Sequence, residues 1–214
     1  MEIKYKFKSW SGWIVAAGFG AVMFASGFQA GAEKTGVVDL NTVIQQSNYG
    51  KSSTESLNNQ LKVRRALIDF VMTYKVLTRE QAERLRELSL KAPQTEDDKK
   101  QVEKIKADVM ESDRRRNELS QKANLTEADA ALLRDYSQRA LAMEELVNRW
   151  SQIFQEDLED LQTKAREDSI TKAKAALSAV AKAGAYTVVM ESTVAPFGVN
   201  DLTEAVVTKM NATK

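Results

Sequence analysis

"LRDYSQRALAMEELVNRWSQIF", residues 133–154, is the stretch on which the fold turns. Leu133, Tyr136, Ala140, Met143, Val147, Trp150 and Phe154 recur at a strict 3, 4, 3, 4 spacing. On a helix that spacing lines them up as one apolar seam over three heptads, the pattern of coiled-coil packing. After Phe154 the seam shifts by a stutter to Leu158, Leu161 and Ala165, which locally unwinds a supercoil. Thr126 is a good N-cap with Asp129 in the first turn, and Gly184 a good stop. One helix from Glu127 to Ala183 would be about 85 Å long. Such an element is an arm, and its seam needs a partner of similar length.

The partner must lie upstream, where helical patterning begins near Ser53. Val63, Leu67, Phe70, Tyr74 and Leu77 recur at 4, 3, 4, 3 spacing. Thr78 stands three residues before Gln81, a capping-box pattern that predicts a kink or restart. Pro93 ends the second piece near Lys91, because proline disfavours helical geometry in the preceding residue and lacks an amide hydrogen. A third piece from about Glu96 carries Val102, Ile105, Val109 and Leu119, with Asn124 as its stop. These pieces read as one ascending limb with breaks at 76–78 and 92–95. The expected unit is a long antiparallel helical hairpin over 53–183 with its tip near 123–126. The echo between "LTREQAERLRELS" (77–89) and "LTEADAALLRDYS" (125–137) reads as shared capping and heptad chemistry, with a repeated helix-hairpin unit as the alternative.

Both ends of this hairpin carry strand candidates. Gly36–Leu40 is a short apolar run, and Asn41 is the expected cap of a short helix through Gln46 that Asn48 and Gly50 break. Tyr186–Met190, in "AYTVVMESTVAPFG" (185–198), favours a strand. An antiparallel hairpin returns its far end beside its near end, so the two strands meet. So few short strands are marginal in water and leave open edges, which predicts an oligomer that pools them. The fold class is therefore mainly α with a small β body, built from residues 33–52 and 184–214.

Composition supports this shape and narrows the function. The 214 residues are 29% charged and 7% aromatic, with only 2 Pro and 9 Gly, which suits long helices. There is no Cys and no His, so thiolate chemistry, the commonest metal ligand and the usual neutral-pH base are missing. "GKSS" (50–53) resembles the end of a phosphate-binding loop, but Gln45 stands where that motif needs its first glycine. Glu144 and Glu145 are adjacent on a helix and diverge. No enzyme, cofactor or metal is expected.

Lys4, Lys6 and Lys8 precede an uncharged stretch from Trp10 to Phe28, followed by "AGA" at 30–32. That order of positive, apolar and small residues predicts a secretory signal, residues 1–32, cut after Ala32. If retained, the segment would instead anchor a coiled-coil scaffold in the inner membrane. Removing it leaves 28 basic and 29 acidic side chains, a balance that predicts no nucleic-acid partner. "RRR" at 114–116 and Lys122 lie among Glu111, Asp113, Glu118 and Glu127, which reads as a mixed-charge surface.

"GVVDLNTVIQQSNYGK" at the mature start, the closing "AYTVVMESTVAPFG" and "DLTEAVVTKMN" (201–211) resemble the ends of the Skp (OmpH-like) periplasmic chaperones. The middle is similar only as a type of helix pattern, and is longer, less basic and more broken than in the family's best-known members. The resemblance implies a jellyfish-shaped homotrimer whose helical arms enclose a cavity. There, without ATP, unfolded outer-membrane proteins are held in the periplasm. By position, Val37, Val38 and Leu40 with Val188, Val189 and Met190 would fill the oligomerisation body. Leu202, Val206 and Val207 would pack the last helix onto it. Client contacts would be diffuse, on the inner faces of the arms, with breathing at the breaks 76–78 and 92–95, and without stable membrane insertion once the signal is removed.

Overall fold

The computed structural model describes residues 34–196 and 200–213, so the expected signal at 1–32 lies outside the described residues. In chain order the elements are β1 (Thr35–Val38), α1 (Leu40–Gln46), α2 (Asn48–Tyr74), α3 (Arg79–Leu90), α4 (Glu96–Ser120), α5 (Glu127–Ala183), β2 (Val188–Glu191) and α6 (Thr203–Ala212). The architecture is mainly helical with a small β body.

The long return helix α5 has the bounds its seam and caps predict. Tyr136, Met143, Val147, Trp150 and Phe154 of the seam are buried, together with Leu146, which the strict alternation omits. Leu158, Leu161 and Ala165 after the stutter are only half-buried. Helix α2 runs antiparallel to α5. Lys172 stands 4.7 Å over the Tyr49 ring, Arg64 pairs with Asp157 at 3.3 Å, and Lys75 pairs with Glu144 at 2.6 Å. Successive contacts thus climb one helix as they descend the other.

The helix restarts at Thr78 as expected, but the limb does not keep ascending, because the chain reverses at 75–78. Lys75 caps α2 in the left-handed region (φ 49, ψ 12), and its ammonium is tied to Glu144 of α5. Val76 and Leu77 plug into the core. Thr78 then starts α3 with a full capping box, its hydroxyl accepting from the Gln81 N–H while the Gln81 side chain accepts from the Thr78 N–H. Helix α3 descends beside α5, for Val76 accepts from Arg139 while Arg86, near the other end, stands over Trp150. After Lys91–Thr95 the chain climbs again as α4, antiparallel to α3, with Arg84 donating to Gln101 and Lys91 paired to Asp98. The limb is a three-run zigzag, and where its runs overlap the arm is four helices thick. The capping boxes at Thr78 and Thr126 coincide with the two halves of the sequence echo, which is therefore helix-start chemistry.

Two apolar cores result. The arm core gathers Leu67, Val71, Val76, Leu77, Ala82, Leu85, Leu88, Val102, Val109, Tyr136, Met143, Leu146, Val147, Trp150 and Phe154. The body core gathers Val38, Val43, Ala173, Ala176, Leu202, Val206 and Met210. Between them α2 and α5 pair alone, and no residue of 51–63 or 155–168 is buried.

In the body, β1 lies between β2 and the 200–202 segment. It pairs with β2 in parallel, Thr35 opposite Val188 through Val38 opposite Glu191. On its other side Val37 donates to Asn200 (2.8 Å) and accepts from Leu202 (2.8 Å). The arm supplies the long connection that a parallel pair requires. Leu40, expected at the end of a strand, is the first residue of α1, and Asp39 rather than Asn41 is the cap. The Asp39 carboxylate accepts from the Thr42 N–H (2.8 Å) and the Thr42 hydroxyl (2.7 Å), which together hold its pKa below the usual carboxylate value. Asn48 and Gly50, expected to break the helix, belong to the first turn of α2 instead. Ser47 caps it by accepting from the Gly50 N–H at 3.0 Å.

Candidate functional site

The six expected body residues divide by exposure. Val37 and Val38 are buried in β1, and Leu40 and Val189 pack against the body core from its margin. Val188 and Met190, on the opposite face of β2, are 45% and 36% exposed. Among the described residues, β2 pairs on one edge only. Its end is tied down by Glu191, whose carboxylate accepts from the Leu40 N–H at 3.2 Å, and by Ser192, which donates to Val38. The body thus presents an apolar strand face beside an open edge, with exposed Val194 just beyond it. Leu202 and Val206 are buried and Val207 is half-buried, as expected, and Met210 joins them.

Along the arm, helix packing leaves open apolar grooves. One, of about 510 Å³, lies between α2, α3 and α4, with Val63, Leu67, Phe70, Leu85 and Val102 on its walls and Lys99, Glu103 and Lys106 at its rim. The second, of about 490 Å³, lies between α2 and α5. Leu61, Ile68, Phe154 and Leu158 supply its apolar walls, and Arg64, Arg65, Asp69 and Glu159 its charges. Apolar spacing alone does not reveal these grooves. Their signal is in α2: Arg64, Leu67 and Val71 form the buried row, which keeps Leu67 of the expected seam but has Arg64 in place of Val63 and Val71 in place of Phe70. A charged residue stands where a seam position should be apolar. Trp150 and Phe154 are buried in the arm core, with Phe154 also reaching the second groove.

The arm tip is electrically paired. Arg114 bridges Glu111 and Glu118, Arg116 pairs with Asp113, and Lys122 pairs with Asp129 at 2.6 Å. The Lys122 hydrogen bond, followed by those from Thr126, keeps the Asp129 carboxyl below its ordinary pKa. Mixed charge, rather than a basic patch, describes this end of the molecule. Among the described residues no group of three or more acidic side chains is arranged to hold a metal ion, and no helix is long and apolar enough to cross a membrane.

No curated protein and no solved structure matches the chain. The model of the OmpH-like outer membrane protein family matches residues 34–210, from the start of β1 into the last turn of α6, and the chain belongs to that family.

Proposed function

We propose that this member of the OmpH-like family, a family of periplasmic chaperones for outer-membrane proteins, is an ATP-independent holdase. It binds unfolded outer-membrane proteins along its arm and keeps them from aggregating. The observation that carries this reading is the pair of open apolar grooves on either side of α2, each walled by several aliphatic or aromatic side chains. Binding an unfolded chain calls for many weak, tolerant contacts rather than one rigid site, and grooves between helices offer such contacts. Isolated exposed residues such as Leu141 carry no weight, since single apolar side chains are common on protein surfaces.

The holdase acts as a homotrimer. A two-stranded sheet with one open edge is marginal alone, and the exposed Val188 and Met190 face beside it suits pairing with further copies. Residues 1–32 direct export and are removed, and Glu33 is the first residue of the periplasmic protein. The test is aggregation of an unfolded β-barrel protein diluted from urea, with and without the processed chain. Suppression at one trimer per client is expected, and none at that ratio refutes the reading. Native mass measurement checks the trimer, and N-terminal sequencing of the periplasmic fraction checks the cut.

A further inference from the structure

The body carries a pocket of its own, of about 530 Å³, where α5 nears its end beside α6 and the start of α2. Tyr49, Ala175, Ala176, Ala179 and Met210 supply its apolar walls. The charged groups lining it are Lys172 and Lys209, with no acidic side chain among the described residues. Both lysines are exposed, so an incoming anion can reach them. Elsewhere charge is matched: among the described residues the ion pairs all lie between residues 64 and 157, and none includes Lys172 or Lys209. The two cations also share one end of the pocket. The Lys172 ammonium stands 4.7 Å over the Tyr49 ring. Lys209 lies in the turn of α6 that leads to Asn211, whose side chain accepts from the N–H of Asn48, the neighbour of Tyr49, at 2.7 Å. From that end the alanines at 175, 176 and 179 continue along α5 as an apolar floor.

We infer that this pocket receives the carboxyl terminus of an unfolded polypeptide, its carboxylate at Lys172 and Lys209 and its last apolar side chains on the alanine floor. The inference rests on the holdase reading and adds to it a contact with the chain end. Charge complementarity selects the occupant: two cations without a matching acid favour an anion, and the apolar walls favour one joined to an apolar body. The one-ended layout favours a chain terminus over an acidic side chain within a chain, which would bring polar backbone past the cations on both sides. Carboxyl termini are a recurring target of peptide recognition, and every unfolded chain has one. Size agrees as well. Lys172 and Ala179 are seven residues apart on α5, about 10 Å along the helix axis, a distance that about three extended residues cover.

The test uses the processed full chain and a short fluorescein-labelled peptide ending in a few aliphatic residues, made with a free carboxyl terminus and as the carboxamide. The free acid is expected to bind about fivefold more tightly than the amide, as two exposed ion pairs would give, and the difference should fade at high salt. Lys172→Gln combined with Lys209→Gln should abolish that preference while leaving amide binding and the thermal melt unchanged. Ala179→Leu, which fills the apolar end, should weaken both peptides. Equal binding of acid and amide, or a preference that survives in the double variant, overturns the pocket assignment. So does laurate binding at the two lysines without peptide binding, which would make the pocket a lipid site, or a changed native mass in the double variant, which would make it a contact between copies. Suppression of client aggregation with no peptide binding overturns the pocket and leaves the holdase standing. No suppression overturns the holdase reading and the client role of the pocket with it.

Discussion

Gly50→Ala should destabilise the protein, although general helix propensity predicts the opposite sign. Gly50 is in the first turn of α2, and replacing a helical glycine by alanine ordinarily gains up to about 1 kcal/mol. Here the chain folds back on itself at Ser47, between α1 and α2. A β-carbon on Gly50 would lie 2.8 Å from the Ile44 carbonyl carbon and overlap its oxygen, with the Ser47 hydroxyl 3.1 Å away on another side. The obstacle is backbone, so no rotamer change relieves it. Moving Ile44 disturbs the bond it accepts from the Ser47 hydroxyl (2.8 Å) and shifts α1, whose Val43 is wholly buried in the body core. Overpacking of this kind costs about 1–3 kcal/mol, and losing the Ser47 cap adds about 1 kcal/mol. Set against the propensity gain, the net expectation is a loss of about 1–4 kcal/mol. Urea unfolding followed by circular dichroism, at matched protomer concentration because any self-association shifts the midpoint, measures it. A Gly50→Ala protein as stable as the original, or more so, would refute the close approach and restore the propensity argument.

Three further outcomes follow from the arm. Thr95→Ala should cost about 1 kcal/mol in the same assay, since it removes the hydroxyl that caps α4 by accepting from the Asp98 N–H. The Asp98 carboxyl is held down to about 2 from 3.8 by its hydrogen bond from Lys91 and then by those from Thr95. A depressed carboxylate stabilises the fold above its unfolded pKa, so that contribution is present above pH 3.8 and is lost as pH falls through about 2; Asp98→Asn should flatten the melting temperature in that window. Trp150→Ala should cost about 3–5 kcal/mol, but Trp150→Phe only about 1 kcal/mol or less, because the ring packs with no exposure while its N–H is buried without an acceptor; equal losses by thermal melts would contradict this.

What the sequence reveals here is local, and what it conceals is set at a distance. The bounds of α5 could be read because its caps and seam lie within the segment itself. The start of α3 could be read for the same reason, at Thr78, and that of α4 from the Pro93 break just before it. Their directions could not, because a capping box marks where a helix begins and says nothing about which way it runs. Direction is decided by Val76 and Leu77 entering a core whose other walls are Trp150 and Met143, some seventy residues away. Gly50 misled in a related way. Glycine breaks helices by default, but here its missing side chain admits the Ile44 carbonyl, a contact between two helices that no periodicity encodes. Arg64 was concealed because long charged side chains on helices are ordinarily solvated, and only the fold shows that this one is covered.

The two cores also bear on how strain and binding spread through the molecule. The body core and the arm core share one continuous helix, α5, and the antiparallel α2 beside it, yet between them no side chain is buried. Packed side chains with discrete arrangements are what usually carry coupling across a protein, and this stretch lacks them. Its integrity depends on helix hydrogen bonds and on side chains that are at most half-buried, such as Leu57 and Leu161. Local opening should therefore be easiest at this waist. A substitution in the body, Gly50→Ala included, should then leave hydrogen-exchange protection around Trp150 largely intact.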